Sequence, residues 1–509
     1  MHISGKSLAS VDRESSLYSS LRDAHQRIAK KDSTTWGSKA TAEASIRLNW
    51  VDLPETSLNL LPQISHLIRK FAAHKRVVLC GMGGSSLGPE VIALTYKKEI
   101  FIFDSTDPNY AKHAIAGDLA ETVVVVSSKS GSTIETSSQR AFFEAQFTTS
   151  GLKPIDHILF VTDPGSPLDL DVRTHGFEVI NADPNVGGRF SVLSAFGLVP
   201  SALAGAPIED ILADARKEKS EFTSNDLAIL DVAYIIVTQT EQYVAFTDSQ
   251  SNVPGLSDWI EQLIAESTGK DQIGRLPIAT ENVEPIGNAL TIAYGGKSAD
   301  LVVEGPLGAH FIFWEWVTAI IGAALKIDPF NQPNVTEAKE QTSACLAEWG
   351  NKVPTLQSNC LDKSVEIFGD GQSLKDALAT FIEDVKDGGY IAIMAYLDRR
   401  DDAKIAELRS ILAHKSGHPT SFGWGPRFLH STGQFHKGGQ RNGSFLQITG
   451  ETSEDFEIPG RPFTLRTLLF AQAIGDNRAL ATRKYPLLRL HLQNRRAGID
   501  EILAAARSL

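Results

Sequence analysis

The chain reads as an α/β protein built on parallel sheets, and three observations predict it. β-like apolar runs recur at 77–80, 99–103, 122–126, 157–161 and 177–181, and helix-like segments near 88–96 and from 133 separate several of them. Strand alternating with helix is the pattern of a parallel sheet covered on both faces. Two of the runs, Val77-Val78-Leu79-Cys80 and Val123-Val124-Val125-Val126, end in loops of small residues: Gly81-Met82-Gly83-Gly84-Ser85-Ser86-Leu87-Gly88 and Ser127-Ser128-Lys129-Ser130-Gly131-Ser132-Thr133-Ile134-Glu135-Thr136. A strand ending in small hydroxyl residues at a helix start suits a phosphorylated small molecule, because helix N-termini offer unpaired N–H groups and partial positive charge.

The elements follow in order. Residues 1–48 read as a helical, mostly solvated arm. Leu60, Leu61, Ile64, Leu67, Ile68 and Phe71 then recur at helical spacing ahead of the first strand. The alternating unit occupies 49–205. A second α/β unit, 206–345, has a helix over Leu227–Val237, a strand at Tyr243–Phe246, a helix over Trp259–Glu266, a strand at Ala289–Tyr294 and a long apolar helix from Phe311 to Leu325. Asp328-Pro329-Phe330-Asn331-Gln332-Pro333 punctuates the chain before a helix restarts at Val335. The remainder, 346–509, is a third α/β piece. It has a loop-like stretch from Thr355 to Gly371, strands at Tyr390–Leu397, Ser444–Thr449 and Leu487–Leu492, a Gly/His-rich segment over 423–443 and a helix over 463–475.

The 509 residues suffice for two to four domains, each with its own core. The composition, 42% apolar and 22% charged, is that of an ordinary globular protein. A net charge of −12 argues against a polyanionic partner such as nucleic acid, so any phosphate site must be locally basic. Cys80, Cys345 and Cys360 form no C-x-x-C pair, which predicts neither a disulfide framework nor a zinc site and favours a reducing compartment. No membrane-spanning segment or signal peptide is expected, and the expected location is cytoplasmic.

The first loop is not a dinucleotide fingerprint, since Ser86 stands where G-x-G-x-x-G needs its last glycine, and no Gly-Lys-Ser/Thr makes it a Walker loop. Three further segments give the loops their context: Gly187-Gly188-Arg189-Phe190-Ser191-Val192-Leu193-Ser194, Gln262-Leu263-Ile264-Ala265-Glu266-Ser267-Thr268-Gly269-Lys270, and Asp328-Pro329-Phe330-Asn331-Gln332-Pro333-Asn334-Val335-Thr336-Glu337-Ala338-Lys339. With the two loops they make five motifs, in order, that resemble those of the phosphoglucose isomerases over residues 50–345. Including 350–509, where Phe428-Leu429-His430-Ser431-Thr432-Gly433-Gln434-Phe435-His436-Lys437-Gly438-Gly439 stands, the chain is most similar to the isomerase portion of bacterial transaldolase/glucose-6-phosphate isomerase fusions. No block large enough for a transaldolase barrel is left, so none is expected.

The resemblance implies two three-layer αβα sandwich domains of the SIS type, with parallel sheets, and a C-terminal α/β region. It also implies a cofactor-free aldose–ketose isomerase of glucose 6-phosphate and fructose 6-phosphate. Ser128, Lys129, Ser130, Thr133 and Thr136 would cradle the phosphate, while Gly84 and Ser85 approach the sugar. Glu266 would carry the proton between C2 and C1, with Gln262 four residues before it. Arg189 would stabilise the developing negative charge. His310 and Lys339 are the ring-opening candidates, with Gln332 in the same pocket. In the family the histidine comes from a neighbouring subunit, which implies a homodimer. His430, His436, Lys437 and Arg441 either approach the substrate or hold a long loop; His430 and His436 lack acidic or cysteine partners at metal spacing, and no metal is expected. Two alternatives stay open: an isomerase that also accepts mannose 6-phosphate, and a non-catalytic sugar-phosphate sensor.

Overall fold

The computed structural model describes residues 1–283, 289–296 and 298–509. They fall into two compact units. The first comprises 1–104 and 117–332, the second 105–116 and 333–509.

The first unit holds two sheets. β1 (His2–Ser4) opens the chain. β2 (Arg76–Cys80), β3 (Phe101–Phe103), β4 (Thr122–Ser127), β5 (Ile158–Thr162) and β6 (Glu178–Asn181) form an all-parallel sheet in the order β3-β2-β4-β5-β6. Every residue of β4 and β5 is buried, as the valine run of β4 and the apolar run of β5 require when helices cover both faces. β7 (Tyr243–Thr247), β8 (Leu276–Ala279), β9 (Leu290–Ala293) and β10 (Leu301–Glu304) make the second sheet, parallel except that β1 closes its edge antiparallel to β10.

That pairing adds to the reading of the N-terminal arm, which is helical and largely solvated but docks one face into the core. Tyr18 and Ile28 on the helix Ser16–Ala29 are fully buried, and the Tyr18 hydroxyl donates to Asp231 at 2.8 Å. The Trp36 indole donates to the carbonyl of Ala319 at 2.9 Å. Apolar residues at 18, 21, 24 and 28 form one helical stripe among charged neighbours, and that stripe is what the core takes up. The helix Leu307–Leu325 is long and apolar enough to cross a membrane by length and composition alone. It is 89% buried within the protein, which makes it a core helix.

The second unit carries β11 (Cys360–Asp362), β12 (Val365–Phe368), β13 (Tyr390–Tyr396), β14 (Thr420–Trp424), β15 (Gly443–Gly450) and β16 (Leu487–Leu492), in the order β11-β12-β16-β15-β13-β14. The last four strands in sequence are mutually parallel; β11 and β12 form a hairpin that joins β16 antiparallel. Thr355–Gly371 is therefore not simply loop. The hairpin escapes a sequence reading because Asp, Lys, Gly and Ser punctuate strands of only three and four residues. The helix Val335–Trp349 belongs to this unit, ahead of the boundary expected at 345. It packs on Leu465–Ala481 so closely that a Cβ at Gly475 would stand 2.7 Å from the Thr342 nitrogen. Residues 105–116 are held here by Asp107 against Arg495 at 2.8 Å and by Thr106 donating to Gln472 at 2.7 Å.

Candidate active site

Both small-residue loops leave the carboxyl edge of the first sheet side by side, because Cys80 of β2 stands opposite Val126 of β4. From β2 the chain steps outward to β3, then returns to β4 on the other flank of β2. Open α/β sheets bind ligands at such a reversal.

The second loop is a prearranged set of donors. Ser128 Oγ accepts from the Gly131 amide at 3.1 Å, and Ser130 Oγ accepts from the Ser132 amide at 3.2 Å. The Ser130 and Ser132 hydroxyls lie 2.6 Å apart. The 16-residue helix Ile134–Thr149 starts immediately after, and its N-cap Thr133 makes no side-chain capping bond. Thr136 is buried, and among the described residues its hydroxyl has no hydrogen-bond partner. Hydroxyls and first-turn amides at the positive end of a long helix favour an anion. Lys129 contributes differently from the expectation. Its ammonium sits 2.6 Å from Asp163 and donates to the Pro184 carbonyl at 2.9 Å, so its charge is already paired.

The first loop is a structural neighbour of Arg189. A Cβ on Gly84 would stand 2.0 Å from the Gly188 carbonyl oxygen, so only glycine lets the two backbones meet. Ser85, half-buried, follows in the same turn.

Arg189 organises the remaining groups. It is 4% exposed, and its guanidinium reaches five acceptors. Nε donates to Ser267 Oγ at 2.9 Å; Nη1 donates to Gln332 Oε1 at 2.9 Å and pairs with Glu266 Oε1 at 3.0 Å; Nη2 donates to the carbonyls of Pro329 at 2.6 Å and Asn331 at 2.9 Å. Glu266 lies near the end of the helix Leu256–Thr268. Gln262, one turn earlier on the same face, donates to its other oxygen, Oε2, at 3.2 Å. The structure thus brings together Arg189, Glu266, Gln262 and Gln332, four residues singled out from three separate motifs. The result is a carboxylate with both oxygens fixed beside a rigid cation, an arrangement suited to moving a proton next to developing negative charge.

Two residues of this cluster were not singled out as site residues. Ser267 holds Nε of Arg189, and Lys270, 3% exposed, donates its ammonium to the Asp328 carbonyl. Burial, and next the charge of Arg189, push the Lys270 ammonium well below the usual lysine range, against the pull of Asp328 and Glu266. Lys270 closes the Glu266 motif, but its burial depends on a segment nearly sixty residues away, which local spacing does not reveal.

Of the two ring-opening candidates, one belongs to the first unit and the other to the second. His310 is fully buried on Leu307–Leu325, edge-on to Tyr294 with ring centroids 5.4 Å apart, and burial pushes its pKa down to about 3. Within this chain's own fold a histidine so held is neutral and shut off from a substrate. Lys339 lies in the second unit, exposed on Val335–Trp349.

Comparisons with known proteins agree with this region. Residues 68–296 match the family model described as phosphoglucose isomerase. The glucose-6-phosphate isomerase of Campylobacter jejuni is 33% identical over 245 residues, 46% of this chain and 60% of that protein. That of Exiguobacterium sibiricum is 27% identical over 61% of this chain and 89% of its own length. The chain spans 40% to 61% of the length of the first five curated relatives it matches. A solved glucose-6-phosphate isomerase from Chlamydia trachomatis shares the fold, with a TM-score of 0.52 at 19% identity over 67% of this chain and 85% of that one. The chain is thus similar to phosphoglucose isomerases over residues 68–296, and its fold is α/β with parallel sheets.

Proposed function

We propose that this chain is an aldose–ketose isomerase interconverting glucose 6-phosphate and fructose 6-phosphate. The observation that carries the reading is the 3.0 Å pair of Arg189 and Glu266, set in a network with Gln262 and Gln332 beside the Gly84 loop. The hydroxyls of Ser128, Ser130, Thr133 and Thr136 would anchor the phosphate at the helix start, with Ser85 and Gly84 lining the sugar side. Glu266 would take the C2 proton to give a cis-enediolate and return it to C1, while a proton passes between O1 and O2. Arg189, fixed by its four hydrogen-bond acceptors, would stabilise the enediolate oxygen without reorganising. Oxidation level moves between adjacent carbons of one molecule, so the reaction calls for no redox cofactor. Lys339 keeps the ring-opening role that the resemblance suggests, and His310 has none within its own chain.

The family match and the distant relatives support this reading over a sugar-phosphate sensor, which needs the cradle but no carboxylate held against an arginine. Acceptance of mannose 6-phosphate, a homodimer, a cytoplasmic location and kinship with the transaldolase-fused isomerases belong to the same proposal. The test is a coupled assay of fructose 6-phosphate conversion with wild type and Glu266→Gln, alongside calorimetric titration of the sugar phosphate. Conversion by wild type alone, with binding by both, is the expected result. Equal conversion by both overturns the role of Glu266; binding without conversion by either leaves the sensor.

A further inference from the structure

The second unit contains a buried polar surface that the isomerase reading does not use. β12 and β16 pair antiparallel, with Phe368 opposite Arg489 and Glu366 opposite His491. Strand side chains alternate, so these four share one face, while Val365, Ile367, Leu488, Leu490 and Leu492 occupy the core on the other. A strand reading apolar–polar–apolar–polar ordinarily turns its polar face to water. Here much of that face is covered: Arg489 is 7% exposed and His491 8%, while Glu366 and Phe368 are half-buried. Over it lies a cavity of about 200 Å³ whose walls include Thr355, Glu451, Arg466 and Phe470.

Arg489 is the unusual member. Its guanidinium carbon sits 3.3 Å from the Phe368 ring centroid, a stacked contact, yet among the described residues it has no hydrogen bond and no ion pair. Burial lowers its pKa to about 10, with Glu366 only partly offsetting the effect. Of the acids nearby, Glu451 is paired with a cation and Glu366 is held by a neutral amide. Glu366 accepts from Gln493 at 3.0 Å, and Glu451 pairs with Arg466 and lies 3.4 Å from His491. Arg466 adds a second cation near an aromatic face, 5.8 Å from the Phe470 centroid, and its Nε is buried without a hydrogen-bond partner among the described residues. Two guanidiniums with unused N–H groups converge on a chamber smaller than a drug-sized pocket.

We propose that this cavity binds a small oxyanion, the phosphate or carboxylate group of a metabolite, gripped by Arg489 and Arg466. Guanidinium N–H pairs match two oxygens of either group, and the stack on Phe368 keeps the Arg489 fork preorganised. The site lies wholly within the second unit and is independent of the isomerase assignment.

The test uses the full chain with Ser128→Ala and Ser130→Ala, which silences the proposed substrate cradle, and titrates inorganic phosphate and, separately, succinate by calorimetry. One site is expected for at least one of the two anions, weakened at least tenfold by Arg489→Met; the tighter anion identifies the group. No binding of either anion at 10-millimolar order, or equal affinity in Arg489→Met, overturns the proposal. Thermal unfolding in anion-free buffer adds a second readout. Removing an unpaired buried charge should leave the melting temperature equal or higher.

Discussion

Replacing Arg189 with lysine tests the centre of the candidate active site. The guanidinium satisfies five acceptors: the Ser267 hydroxyl, the Gln332 amide, one Glu266 oxygen and the carbonyls of Pro329 and Asn331. A lysine ammonium has three N–H donors, so at least two of the five lose their partner. Each buried acceptor left unpaired costs about 1–3 kcal/mol. Gln332 is exposed and Asn331 half-buried, so water recovers part of the loss, and the lower half of the summed range applies, roughly 2–4 kcal/mol. The same change removes the rigid fork beside Glu266, for which a fall in kcat/KM of about a hundredfold or more is expected. Urea unfolding and the fructose 6-phosphate assay read the two effects separately. An Arg189→Lys protein whose stability lies within ~0.5 kcal/mol of wild type, with full activity, refutes the account of Arg189 as organiser of the cluster.

Gly84→Ala pushes a methyl group to 2.0 Å from the Gly188 oxygen, and since both sides are backbone the loops must part. A loss of about 1–3 kcal/mol is expected by thermal unfolding, with isomerase activity falling further than stability because Arg189 moves with Gly188. His436, enclosed by Tyr390, Phe428 and Phe445, has its pKa pushed down to about 3 by burial and by Lys437. The unfolded chain, with a histidine pKa near ~6.5, takes up the proton first as pH falls, so the stability due to neutral His436 is intact above that pH and drains away toward pH 3. Denaturant titrations should therefore show wild type losing about 1.4 kcal/mol per pH unit relative to His436→Phe between about pH 6 and 4. A difference that stays flat with pH would show that the site is hydrated.

The parts of this molecule legible in sequence are those whose pattern is local. The valine run of β4 and the loops after β2 and β4 carry their own signals, and the Glu266 helix shows its Gln262 partner at one-turn spacing. What escaped depends on distant residues. The burial of Tyr18 and Trp36 comes from segments 213 and 283 positions away. The partner of Lys129, Asp163, stands 34 positions away on the next strand's loop, beyond what the Ser128–Thr136 motif shows. β11 and β12 are strands by virtue of joining β16 rather than by propensity. His310 lies within an apolar helix, and the apolar residues around it are the sequence signal that favours a core position.

The assignment of residues 105–116 to the second unit also sets a schedule for making the protein. Asp107 emerges roughly 390 residues before the Arg495 that neutralises it. At ordinary rates of about 5–20 residues per second, that interval is on the order of 20–80 s. During it the segment carries a carboxylate destined for complete burial with no cation to meet it. The first unit must therefore close its parallel sheet around a stretch of chain that stays unclaimed, and the second unit can begin to assemble only near the end of synthesis. A nascent chain halted after residue 332 would expose this segment to protease, whereas the finished chain would protect it.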